Sequence, residues 1–129
     1  MIALHHVQVA CPADGEADAR RFYGKGLGLT EVEKPAALVS RGGAWFRAYD
    51  ARGAVAAEVH VGVEDPFAPA RKAHPAFVVD DLDAVLASVV AAGFAVDETD
   101  WHTFPGYIRF HTHDGAGNRV EVLQRAGMP

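Results

Sequence analysis

Two short stretches of this chain, residues 57–61 (AEVHV) and 120–124 (VEVLQ), can be laid over one another with Glu58-Val59 falling on Glu121-Val122. Each closes a series of elements in the same order. The first series opens with residues 2–10 (IALHHVQVA), where alternation puts Leu4, His6 and Gln8 on one face of a strand and His5, Val7 and Val9 on the other. Residues 14–24 then place Ala19, Phe22 and Tyr23 at helical spacing with Arg20 and Arg21 outward, and Gly24, Gly26 and Gly28 punctuate the end. Strands follow at 30–34, 44–49 and 56–63, with turns at Gly42-Gly43 and 50–53. Residues 65–72 (DPFAPARK), with two prolines, cannot continue a central strand and read as a linker. The order then begins again. A strand at 74–79 leads to a helix capped by Asp80 or Asp81, with Leu82, Val85, Leu86, Val89 and Val90 on one face and Gly93 at its end. Strands at 95–99, 107–113 and 119–124 complete it, the last two joined by the turn 114–118 (DGAGN).

A β-α-β-β-β series read twice predicts an α+β fold. A chain of 129 residues holds one good core, so the two units, about 1–64 and 73–125, are expected to form a single domain. The formal charge of -5 and the scattered twelve Lys and Arg residues give no basic footprint, which argues against a nucleic-acid partner. No apolar run approaches the roughly 20 residues of a membrane span. Cys11 is the one cysteine and can form no internal disulfide, and Met1 leads straight into a strand without a secretory leader, so a cytoplasmic location is the default expectation.

Each unit opens on a histidine and closes on a glutamate, 52 residues apart from His6 to Glu58 and 47 from His74 to Glu121. In every one of these strands the candidate lies opposite the apolar residues that would pack under a helix: His6 opposes Val7 and Val9, Glu58 opposes Val59 and Val61, His74 opposes Phe77 and Val79, Glu121 opposes Val120 and Val122. Gln8, His60, Arg109 and His111 share that polar face. Such a face is costly to bury without partners and reads as a binding cleft. Two imidazoles and two carboxylates, His6, His74, Glu58 and Glu121, suit a divalent ion such as Zn, Ni, Fe, Co or Mn. Arg109 is placed to clamp a substrate carboxylate or phosphonate.

With LHHVQVA at the start, FYGKGLGL after the first helix, HPAFVVDDLD opening the second unit and DGAGNRVEVLQ at the end, the chain resembles the vicinal oxygen chelate superfamily, the glyoxalase, bleomycin-resistance and extradiol-dioxygenase group. The resemblance implies paired βαβββ modules forming a cup-shaped mixed sheet with helices outside, as in the glyoxalase/bleomycin resistance/dihydroxybiphenyl dioxygenase-like fold. It implies a homodimer whose modules pair within one chain or between chains. It also implies metal ligands at His6, His74 and Glu121, with Glu58 the fourth and His60 its rival for that place. One departure is plain: DGAGN lacks the proline and bulky residue of the group's DPxGN turn.

The function these features imply is metal-dependent, glyoxalase-like chemistry on a small molecule. An ion chelates two neighbouring oxygens and stabilises an enediolate or oxyanion, with Glu58 or Glu121 moving a proton in an isomerase, epimerase or lyase step. His60, Gln8, Arg109 and Tyr107 are the candidates for substrate contact. The alternatives are a metal-free protein that sequesters a drug, as in the bleomycin-resistance branch, and an extradiol-type dioxygenase, for which His6, His74 and Glu121 would supply two histidines and one carboxylate.

Overall fold

A computed structural model describes residues 1–126 of the chain. Eight strands form two four-stranded sheets. The first, ordered β1-β4-β3-β2, is built from β1 (Val7–Cys11), β2 (Thr30–Val32), β3 (Ala44–Tyr49) and β4 (Val55–Val63). The second, ordered β5-β8-β7-β6, is built from β5 (Ala76–Val78), β6 (Val96–Asp97), β7 (Tyr107–His113) and β8 (Arg119–Arg125). Each is mixed: its first strand runs parallel to its last, and the other pairs are antiparallel.

The repeat holds at the level of single residues. Phe46 pairs with Val59 in the first sheet and Phe110 with Val122 in the second, and all four are buried. One place along, Arg47 pairs with Glu58 and His111 with Glu121. Because successive side chains on a strand point to opposite faces, this register turns the apolar pair inward and the polar pair to the other side in both sheets.

The first helix, α1 (Glu16–Ala19), widens into π-helical winding over Arg20–Gly26, a change the 3.6-residue spacing did not anticipate. Ala19, Phe22 and Tyr23 are buried as their spacing predicts, and the amide of Leu27 bonds the carbonyl of Phe22. The second helix, α2 (Leu82–Ala91), starts at Asp81, whose side chain accepts from the amide of Ala84 at 3.1 Å. Leu82 and Val89 are buried, but Val90, read as part of the inner face, is half exposed. Gly93 ends the helix at φ +99°, a conformation that costs glycine little. Phe22 and Tyr23, Leu82 and Val89, and the inward residues of both sheets form one continuous core, with Phe22 edge-on to Phe94 at 5.0 Å.

Several expectations for the ends of elements are corrected: β2 stops at Val32 rather than running over 30–34, and β6 spans Val96–Asp97 rather than 95–99. The first strand begins at Val7 rather than Ile2, leaving His5 and His6 before the ladder, and β5 begins at Ala76 rather than His74. In both cases the alternating pattern runs on past the last ladder partner on the neighbouring strand, at Val59 for Val7 and at Glu121 for Ala76. The segment between β2 and β3 also contains a 3-10 turn, Ala36–Arg41.

The departure in the 114–118 turn has a physical cause. A Cβ on Gly115 would lie 2.5 Å from Cβ of Asp18 and 2.8 Å from its carbonyl, so α1 packs against this turn too closely for any side chain.

Candidate metal centre

The polar face of the second sheet gathers His74, His111 and Glu121, with one ligating atom of each within 4.8 Å of the others. Among the described residues this is the one group of three such side chains arranged this way. Strand pairing explains it: His111 stands directly opposite Glu121, and His74 enters from the segment just before β5. Nε2 of His74 lies 2.9 Å from Oε1 of Glu121, and Nε2 of His111 lies 3.5 Å from the same oxygen.

His74 carries the most telling geometry. Its Nδ1 faces the carbonyl oxygen of Lys72 at 2.8 Å while its Nε2 faces the Glu121 carboxylate. Both partners are acceptors. A neutral ring that donates Nδ1–H to Lys72 turns a bare lone pair on Nε2 toward a carboxylate, which is repulsive unless a proton or a metal cation stands between them. A backbone carbonyl behind the ring, a free nitrogen in front and a carboxylate beside it is the usual surrounding of a histidine that binds a metal. Two donors each about 2.1 Å from one ion are roughly 3.0–3.4 Å apart at right-angled to tetrahedral geometry, and the 2.9 and 3.5 Å separations from Glu121 border that range.

Glu121 is 5% exposed. Burial alone would push its pKa up, but hydrogen bonds from His74 and Arg109 outweigh that and hold it below the ordinary carboxylate range. His111 is pushed below its ordinary value, first by burial and then by Arg119 and Arg109, so it stays a neutral imidazole suited to ligation. The carboxylate of Asp100 lies 4.0 Å from its other nitrogen.

The first sheet holds a different arrangement at the matching place. Glu58, buried, accepts from Nε of Arg47 and, at 2.7 Å, from Nε2 of His60. The hydrogen bond from His60, helped by Arg47 against the effect of burial, lowers the pKa of Glu58. His60 itself is lowered, chiefly by burial. Its ring is sandwiched between Trp45, stacked at 3.7 Å, and His6, stacked at 4.0 Å. His6 is otherwise exposed, with its Nδ1 3.0 Å from Nδ1 of His5.

Of the four residues expected to hold one ion, His6, Glu58 and His74 line a common cavity, and His74 and Glu121 bring ligating atoms to 2.9 Å of each other. His74 and Glu121 come together, joined by His111, while Glu58 is paired with Arg47 and His60, and His6 rests on His60. Alternation puts His111 on the polar face without giving it a role, and it does not distinguish Arg47. The signal available for both was their pairing opposite the two glutamates, which depends on register and not on periodicity. Arg109 reaches Glu121 at 3.2 Å, Tyr107 starts β7 edge-on to Phe104 at 4.9 Å, and Gln8 sits in β1 beside His60 in register.

These pKa directions set an acid limit on the metal-free protein. His60 and His111 take a proton less readily folded than unfolded, so the unfolded state binds more protons below their ordinary 6.5. Their contribution is fully present above that pH and is lost as the pH falls, and Glu58 and Glu121 add further loss below their ordinary 4.5. The urea midpoint should fall from pH 7.5 to pH 5 and fall again toward pH 4; a midpoint that is flat or rises over that range contradicts the assignment.

A family model described as the Glyoxalase/Bleomycin resistance protein/Dioxygenase superfamily matches residues 3–122. A solved structure described as a glyoxalase family protein from Bacillus anthracis is 39% identical, covering 98% of this chain and 97% of that one at a TM-score of 0.85. The same fold occurs in TnmS3, an antibiotic binding protein from Streptomyces sp. CB03234, at 21% identity, 98% and 99% coverage and a TM-score of 0.66. It occurs again in FosX, a fosfomycin resistance protein from Listeria monocytogenes, at 12% identity, 100% and 95% coverage and a TM-score of 0.66. No curated protein matches the chain. With this sheet order, this repeat and a relative of that identity along nearly its whole length, the chain belongs to the Glyoxalase/Bleomycin resistance protein/Dioxygenase superfamily.

Proposed function

We propose that this protein is a metal-dependent enzyme of the glyoxalase type acting on a small oxygenated molecule, with a divalent ion held by His74, His111 and Glu121. The observation that carries the reading is His74, whose two ring nitrogens both face acceptors, so that its inner nitrogen calls for a proton or a metal cation, with His111 and Glu121 grouped around the same point. When bound, such an ion polarises substrate oxygens and stabilises negative charge that develops on them. Three protein ligands leave positions for those oxygens.

The chain's own residues supply orientation and proton handling. Lys72 fixes the tautomer of His74 through its carbonyl, and Arg109 engages the second oxygen of Glu121. Oε1 of Glu121 faces both histidines and is the oxygen placed to bind the ion or to carry a substrate proton. Glu58 belongs in this reading to the ion pair with Arg47 and not to the ligand set.

The reading includes a homodimer. Met1, Ile2 and Leu4 are almost fully exposed and Val78 in the edge strand β5 is half exposed, an apolar margin that a second copy would cover. A monomeric mass at micromolar concentration would count against that part.

The test of the central claim is metal analysis of protein purified without chelator, before and after incubation with Zn²⁺ or Co²⁺. One equivalent per chain is expected. A wild type that is metal-free and resists reconstitution removes the reading and leaves the sequestering alternative.

A further inference from the structure

We propose that Arg109 is a positioning residue that ties the loop of residues 98–106 to the carboxylate of Glu121, and that it is not a substrate clamp. Its importance at the ion rests on the function proposed above; the tie itself belongs to the metal-free protein.

All three nitrogens of the Arg109 guanidinium make a hydrogen bond. Nη1 donates to Oε2 of Glu121 at 3.2 Å, Nη2 to the hydroxyl of Thr103 at 2.9 Å, and Nε points to the carbonyl of Asp100 at 3.4 Å. Its carbon lies 5.3 Å from the centre of the Phe104 ring, and its own amide donates to the carbonyl of Trp101 at 3.2 Å. The Thr103 hydroxyl in turn bonds the Asp100 carbonyl at 3.2 Å. A side chain that is 18% exposed, bonded through all three nitrogens and paired with Glu121 has only two of its five N–H donors uncommitted, which suits a tie better than a substrate clamp.

The same contacts show what Arg109 does instead. By holding Oε2 of Glu121 it leaves Oε1 facing His74 and His111, so the carboxylate is presented through one oxygen. The loop it braces also brings the Asp100 carboxylate to 4.0 Å from Nδ1 of His111. Loop 98–106 therefore bears on two of the three candidate ligands, Glu121 through Arg109 and His111 through Asp100. A lysine at 109 would keep the charge but could not span three acceptors in fixed directions.

Hydrogen exchange of the metal-free protein tests the tie directly. Glu121 accepts from Arg109 and faces His74, with no hydrogen bond to the loop itself. Removing it should nevertheless loosen the loop. Amides of residues 98–106 are expected to exchange severalfold faster in Glu121→Ala and in Arg109→Lys, with the double variant no faster than either, while α2 exchanges as in wild type. Loop exchange unchanged in Arg109→Lys or Glu121→Ala overturns the proposal.

Co²⁺ titration supplies a second arm. Arg109→Lys should weaken Co²⁺ by roughly 10–100-fold and change its visible absorption, as loss of a ligand's supporting partner does. Thr103→Val, which touches no ligand, should shift that absorption in the same direction by a smaller amount. Wild-type affinity and spectrum in Arg109→Lys overturn the proposal as well. A wild type that takes up no Co²⁺ defeats the metal reading alone, and loop exchange then decides the positioning role by itself.

Discussion

Replacing Asp114 by alanine should cost about 3–5 kcal/mol of stability, because it leaves several buried donors without an acceptor at once. Asp114 is 6% exposed and sits in the turn between β7 and β8. Its Oδ1 accepts from the amides of Ala116 at 3.0 Å and Asn118 at 2.9 Å, and its Oδ2 from the hydroxyl of Tyr23 at 2.7 Å and the side-chain amide of Asn118 at 3.0 Å. Asn118 passes the connection on, donating to the carbonyl of Ala10 at 2.7 Å and accepting from the amide of Ala70 at 3.1 Å. One carboxylate thus anchors α1, β1, the 65–72 segment and the last hairpin to one another. The Tyr23 hydroxyl, whose pKa burial and then Asp114 push well up, would be stranded in the core. A fall in Tm of about 10 °C or more is expected for a domain of this size. Tyr23→Phe, which leaves Asp114 its other donors, should cost only about 1–2 kcal/mol. A Tm for Asp114→Ala within about 2 °C of wild type would show that the network carries little.

The second large effect is at the metal. On the function proposed above, Glu121→Ala should weaken Zn²⁺ or Co²⁺ by more than about 100-fold, since it removes one of the three proposed ligands and the charge that would offset the ion. Glu58→Ala should leave the affinity within about threefold, because Glu58 is engaged by Arg47 and His60 on the other sheet. The comparison separates the three-residue set from the four-residue set that the order of motifs suggests. Equal losses in both variants would restore Glu58 to the ligands. Competitive titration against a chromophoric chelator resolves either outcome.

The contrast between these two glutamates shows where a sequence is legible and where it is not. Alternation places Glu58, His60, Arg109, His111 and Glu121 on polar faces correctly, because period two is a local property of an extended chain. It also extends β1 back to Ile2. His6 and His5 continue the pattern, but the pairing of β1 with β4 starts only at Val7 and Val59. Nor can alternation say that Arg47 faces Glu58 or that His111 faces Glu121, since the offset between two strands is set by the hairpins that join them. Residues supplied by loops were the least visible: Lys72, Asp100 and Thr103 acquire their roles only when the backbone brings them beside His74, His111 and Arg109.

The matched register of the two sheets has one more consequence. At the place where the second sheet sets His111 against Glu121, the first sets Arg47 against Glu58. In the first sheet the countercharge to the glutamate comes across the strand pair from Arg47; in the second it comes from Arg109, which leaves the cross-strand place to an imidazole. The residue facing the glutamate is therefore a fixed cation in one sheet and, in the other, an imidazole whose charge depends on acidity. The same register thus gives one sheet a permanent cross-strand charge pair and the other a cross-strand partner whose charge can change.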